Sequence, residues 1–197
     1  MKPEYPLVIG PPSNLFVTDN ANRTYQNLIS RIGDPTKQDL KIIAYMRELH
    51  SVTPYVIELD DVEDNKLAIQ SYYENLSQFN LIKFKNGERN KESFIETEFI
   101  TLDLTVDGDL QDINIQFLDN ELINCSFISA LLEGIVVVLR MENVITDVET
   151  YLERFKHYAN LYKYYCSPIN NSFDPFGNHH VSFDPDIRVT LDYIIKE

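Results

Sequence analysis

The chain has 197 residues, with 31 acidic against 17 basic side chains and a formal charge of −14 at neutral pH. A chain of that length fits one domain and buries roughly 70% of its unfolded surface, so it closes without disulfides or a structural metal. The negative field is spread along the sequence and repels phosphate backbones, which sets free nucleic acid aside as a partner. Cys125 and Cys166 stand outside any C-x-x-C or Cys/His-spaced pattern, so neither a zinc site nor a disulfide framework is expected, and reduced thiols in a cytoplasmic setting are.

Residues 1–13 hold four of the nine prolines, Pro3, Pro6, Pro11 and Pro12. Proline's fixed φ and missing N–H favour an extended arm there. The arm's apolar side chains, Tyr5, Leu7, Val8 and Ile9, must lie on their own domain or reach a neighbour. This stretch lacks the apolar core of a signal peptide, and no run elsewhere approaches about 18 apolar residues, so neither secretion by that route nor a membrane span is expected. Residues 14–197 read as one α+β domain, helical to about residue 80 and sheet-rich from about 81.

From Asn22 the apolar positions Tyr25, Leu28, Ile29 and Ile32 share a helical face, with Gly33 as a stop. Asp34-Pro35 then offers a cap and a first-turn proline for a second helix to about Ser51, carrying Ile42, Ile43, Met46 and Leu49. Tyr55 to Leu59 reads as a short strand, Asp60 to Asn65 as an acidic loop, and Lys66 to Phe79 as a third helix. Lys83, Lys85, Arg89 and Lys91 form a basic strip, diluted by Glu88 and Glu92, that fits a solvated hairpin better than a nucleic-acid contact.

After Phe94 the period changes to two. Ile100, Leu102, Leu104 and Val106 alternate with Thr101, Asp103 and Thr105, the pattern of a half-buried strand. Asp107-Gly108 suggests a tight turn, Ile113, Ile115 and Phe117 a returning strand, and Ile123, Cys125 and Phe127 another. Ile135 to Leu139 is apolar on both faces and should be covered on both sides or lie at a subunit contact. These segments predict an antiparallel meander of about four strands. A long helix capped by Thr146 or Asp147 runs to about Tyr165, with Val148, Leu152, Phe155, Ala159 and Tyr162 on the stripe that faces the sheet. Residues 181–195, with Phe183, Ile187, Val189, Leu191, Tyr193 and Ile195, predict a closing strand. The order of helices, sheet, long helix and strand defines an α+β layout.

The chemistry-bearing motifs are few. Neither G-x-G-x-x-G nor G-x-x-x-x-G-K-[ST] occurs, and G-x-S-x-G and H-E-x-x-H are missing as well. The best place for a site is residues 172–186, which gather His179, His180, Asp174, Asp184 and Asp186. Imidazole and carboxylate together are credible metal ligands, yet adjacent histidines on an extended chain point to opposite sides. The tetrad Ser-Phe-Asp-Pro occurs twice here, and it reads as a structured loop whose phenylalanines plug into the fold. Cys125, between Ile123 and Phe127, reads as an inert buried thiol, and Cys166 at a helix end as a poor nucleophile. Asp103, Asp107, Asp109 and Asp112 lack the glycine position of a calcium loop. His50 suits a helix C-terminus. Tyr151, Tyr158 and Tyr165 recur every seven residues, a face that serves either packing on the sheet or an interface.

The meander, helix and final strand ending Arg188-Val-Thr-Leu-Asp-Tyr193 resemble the layout of tail-tube and tail-terminator proteins of tailed phages, over about residues 94–197. That resemblance implies a virion component assembled from protein subunits. The sequence as a whole is read as a non-enzymatic structural or assembly subunit, with no cofactor, no nucleic acid and no membrane. It would act in the cytoplasm or within a virion, and it would use Tyr5, Leu7, Val8, Ile9, Tyr151, Tyr158 and Tyr165 as contact residues. The alternatives are a small acidic inhibitor or regulator of a host enzyme, of which a DNA mimic is one form, and a metal-dependent enzyme built on the 172–186 loop.

Overall fold

The computed structural model describes residues 15–16, 21–52, 59–106, 108–118, 120, 122–163, 173–184 and 187–189. Its main sheet is built around the strand with no polar face. β4 (Phe94–Thr105) and β6 (Gly134–Ile145) pair antiparallel, β5 (Cys125–Ile128) pairs on the other side of β6, and β3 (Lys83–Phe84) and β8 (Arg188–Val189) complete the order β3-β4-β6-β5-β8. The register sets Ile100 opposite Leu139, Leu102 opposite Val137 and Leu104 opposite Ile135. All six side chains fall in one core, and Val136 and Val138 fall in the other, beside Cys125 and Phe127. Each apolar side chain of this size stabilises the fold by about 1.5–3 kcal/mol when fully buried, so β6 requires a layer on each face.

One layer is α5 (Val148–Tyr162) with α4 (Leu110–Leu118). The Asp147 carboxylate caps α5, accepting from the Thr150 backbone N–H at 2.8 Å and from its hydroxyl at 2.8 Å. Tyr151, Phe155, Tyr158, Ala159 and Tyr162 are buried on the sheet; of the expected stripe, Phe155, Ala159 and Tyr162 lie there, Val148 and Leu152 are only partly buried, and Tyr151 and Tyr158 join the buried face. α4 is a correction, because Ile113, Ile115 and Phe117 do not form a returning strand. The Asp109 carboxylate accepts from the N–H groups of Gln111 at 2.8 Å and Asp112 at 3.1 Å, an N-cap that starts a helix. Leu110, Ile113 and Phe117 then share its inner face, while Ile115 is 50% exposed. The alternating residues satisfied both periods over so short a run, and the cap decides between them. The four-strand meander is therefore broken after β4. Asp107 lies outside the described residues; Gly108 does turn, at φ +130°.

The other layer is helical. α1 (Ala21–Gly33) buries Tyr25, Leu28 and Ile32 on the sheet, with the Tyr25 ring stacked on Phe99 at 4.9 Å. α2 (Lys37–Val52) and α3 (Leu59–Glu74) close around Ile42, Ile43, Met46, Tyr72 and Leu76. The cap of α2 is Thr36, not Asp34: its hydroxyl oxygen accepts from the Asp39 N–H at 3.2 Å. Asp39 is the centre of a buried network. Arg31 donates to it at 2.9 Å, Thr36 at 2.7 Å and Ser77 at 2.9 Å, which joins α1, α2 and the turn after α3. The segment 60–65 is helix, not loop. Acidic residues near a helix start complement its dipole, and the run with Glu63 and Asp64 begins α3. The expected strand at 55–59 falls on residues 53–58, outside the described residues, and on Leu59, which opens α3.

Phe79 is not helical. It lies in β2 (Gln78–Asn80), the middle strand of a second, small sheet with β1 (Leu15–Phe16) parallel on one side and β7 (His179–His180) antiparallel on the other. Of the expected closing strand, residues 181–184 are not strand and Phe183 packs into the α2–α3 core, while Arg188 and Val189 form β8 against Cys125 and Ser126 of β5; residues 190–197 lie outside the described residues. No described helix is long and apolar enough to cross a membrane.

Two substitutions test this framework. A Cβ on Gly134 would overlap the Leu104 carbonyl across the β4–β6 ladder; Gly134→Ala should lower the unfolding free energy in urea by about 2 kcal/mol or more. Asp39→Ala leaves Arg31 facing a partly buried gap and should cost about 3 kcal/mol by the same measurement.

Candidate functional site

Residues 173–184 form a strap that starts on the α5 face, rounds the outer edge of β4 and ends on the helical face. Two phenylalanines anchor its start. Phe173 meets Phe155 edge to face at 6.5 Å, and Phe176 lies 5.9 Å from Tyr151 and 6.0 Å from Phe84. The Tyr151 hydroxyl donates to the Pro175 carbonyl at 2.6 Å. The Asp174 carboxylate accepts from the Phe176 N–H at 3.0 Å, the self-bonded turn that Asp-Pro-X sequences favour.

β2 receives the strap with amides. Asn80 donates to the carbonyls of Gly177 at 2.8 Å and Phe176 at 3.3 Å, while its own oxygen accepts from the Ile82 N–H at 2.9 Å. Gln78 accepts from the Asn178 amide at 2.7 Å and lies 3.1 Å from the His180 ring nitrogen. Further on, the Asp184 carboxylate, 4% exposed, accepts from the Ile128 N–H at 2.8 Å and so closes the end of β5. Beside it Arg47 donates to the Ala130 and Phe183 carbonyls, each at 3.1 Å.

The histidines point apart, as adjacent residues on a strand must. His179 lies 5.3 Å from the Phe79 ring and His180 3.8 Å from the Tyr73 ring. Burial lowers both: His179 to about 4, helped by the neighbouring His180 and opposed by Asp174, and His180 to about 4. Both imidazoles are neutral at pH 7.

Between the strap, α5 and the outer edge of β4 lies a cleft of about 180 Å³, lined by Thr101, Asp103, Phe155, Phe173, Asp174, Gly177, Asn178 and His179. Crowding by its walls pushes the Asp103 carboxyl up to about 6, yet the residue is exposed at the mouth, and contact with water there limits the rise. Asp103 and Thr101 were legible only as the polar beat of an alternating strand, a position that ordinarily faces solvent.

The expected metal candidates do not converge. His179 and Asp174 share the cleft, His180 turns to Tyr73, and Asp184 is held at β5; among the described residues no three of His, Cys, Asp or Glu are placed to hold an ion. The loop's phenylalanines do enter the fold, Phe173 and Phe176 on one side and Phe183 on the other. Tyr151 and Tyr158, expected as contact residues, are 1% and 8% exposed; they pack on the sheet and offer no outer surface. Tyr5, Leu7, Val8, Ile9, Tyr165, Cys166 and Asp186 lie outside the described residues. Cys125 is buried beside the Tyr25 hydroxyl, and desolvation pushes its thiol up. In the basic strip, Lys83 pairs with Glu96 at 3.0 Å and Lys91 pairs with Glu149.

No protein-family model, no curated protein and no solved structure matches the chain.

The lowered histidines fix a pH dependence. An unfolded histidine protonates near pH 6.5, whereas these two resist protonation until about pH 4. Their contribution is fully present above pH 6.5 and is lost as the pH falls toward 4, because the unfolded chain then binds protons that the fold refuses. The urea midpoint should fall between pH 7 and pH 4.5. In a His179→Gln/His180→Gln variant that fall should shrink by about 2 kcal/mol once partial solvent contact is discounted.

Proposed function

We propose that the chain is a non-enzymatic structural or assembly subunit that works by docking to other protein subunits. The observation that carries this reading is the employment of the side chains in residues 173–184. Asn178, His180 and Asp184 are engaged with Gln78 and with the Ile128 backbone N–H, so the segment richest in chemical groups acts as a fastening. Around it stands a surface whose charge, −14 over the chain, suits selective pairing with complementary partners. A virion tail or baseplate is the setting suggested by the resemblance over residues 94–197. α4, standing where a strand was expected, departs from the element order on which that resemblance rests.

The reading is tested by the native mass and composition of the protein purified under mild conditions, followed by deletion of residues 1–13. The expected outcome is a stoichiometric oligomer that the deletion variant no longer joins while retaining the parent's unfolding transition. A chain that stays monomeric alone and forms a complex with one unrelated protein would favour the inhibitor or regulator instead. Unchanged incorporation of the deletion variant would remove the arm from the proposal.

A further inference from the structure

The cleft beside β4 has the makings of a binding site. Its volume of about 180 Å³ equals several water molecules at about 30 Å³ each, in contrast to the adjoining pore of about 10 Å³ between Asn80, Tyr151 and Pro175. Phe155 and Phe173 give it an aromatic wall, and Asp103 and Asp174 bring two carboxylates. Thr101 also lines the cleft; it is 8% exposed, and its hydroxyl has no hydrogen-bond partner among the described residues. A hydroxyl that borders a cleft is free to bond whatever enters it.

The balance of charge selects the visitor. Among the described residues no lysine or arginine lines the cleft and neither carboxylate has an ion pair, and His179 is neutral at pH 7. An anion is therefore repelled. Among the described residues a bare metal ion finds no set of converging ligands. The remaining groups, which are carboxylate oxygens, an imidazole nitrogen and a hydroxyl, are mostly acceptors, while the Asn178 amide is held by Gln78 and Asn80. A guanidinium carries five donors and no acceptor, is planar, is weakly hydrated and stacks on aromatic rings, whereas an ammonium is compact and strongly hydrated.

We infer that this cleft is a binding site for a guanidinium group carried on an aliphatic stem. The group comes either from an arginine side chain of a partner protein or from a free guanidinium compound. Its walls are those of the single chain, so the inference goes beyond the assembly reading and stands without it.

The test is an amide-resolved NMR titration of the full chain with three probes: N-acetyl-arginine amide, agmatine, and N-acetyl-citrulline amide as the uncharged isostere. Both cationic probes should shift the Thr101, Gly177 and Asn178 amides saturably. The citrulline probe should bind about tenfold more weakly, and Asp103→Asn and Asp174→Asn should each weaken the arginine probe about tenfold. Asp103 is exposed, and asparagine at 174 keeps an oxygen for the Phe176 N–H, so both variants should give the parent's dispersed spectrum. Tighter binding of the arginine amide points to a protein side chain as the source, and tighter binding of agmatine to a free compound; either supports the site. Cleft amides that do not move, a citrulline probe that binds like arginine, or Asn variants that bind like the parent would overturn it.

Discussion

The architecture follows from one strand that has no face to show to water. β6 places Ile135, Val137 and Leu139 on one side and Val136 and Val138 on the other, all at 1% exposure or less. Left bare on either side, it would expose a strip of contiguous apolar surface on a long, regular strand, the hallmark of an aggregation site. The chain meets the demand from both directions: residues before the sheet supply α1 to α3, and residues after β4 supply α4 and α5. Every other element can be understood as a covering for that strand or as a tie between coverings. The Asp39 network is one such tie and the 173–184 strap is another.

Long periodic segments were legible in the sequence. α1, α2, β4 and α5 stand close to where their apolar spacing puts them, because a dozen residues suffice to separate a period of 3.6 from a period of 2, whereas β6 was legible only as the continuous apolar run Ile135–Leu139 and extends to Ile145. Failures cluster where a short segment fits both. Ile113, Ile115 and Phe117 alternate, but Leu110, Ile113 and Phe117 also recur at helical spacing, and only the Asp109 cap resolves the conflict. The acidic stretch before Lys66 misleads for a different reason: solvation suggests a loop, whereas the helix dipole favours acids at that end. Strands of two or three residues, such as β1, β2 and β7, have no period at all and arise from tertiary pairing.

The candidate site was half legible. Composition picked out residues 172–186, and the structural role of their phenylalanines followed from the Asp-Pro turns. The partners could not be read, since Asn80, Gln78 and Thr101 are ordinary polar residues in sequence and acquire meaning only when the strap is brought against them. Tyr151 shows the same limit. Its seven-residue spacing with Tyr158 and Tyr165 leaves packing and an interface both open, and nothing in it shows that its hydroxyl is the donor that holds Pro175.

The strap also has a temporal meaning. Its bonds join residues about a hundred positions apart, as in Asn80 with Gly177 and Gln78 with Asn178, and Arg47 reaches Phe183 across a still wider gap. On a ribosome the N-terminal helices emerge long before their fastening does, so the nascent chain holds an uncovered β4 edge until residues 173–184 are made. Such distant closures slow folding and lengthen the exposure of sticky intermediates. Molecules cut short within residues 173–184 would keep most of their apolar core and lose the seam that closes it, making them candidates for chaperone capture or degradation rather than for partial function.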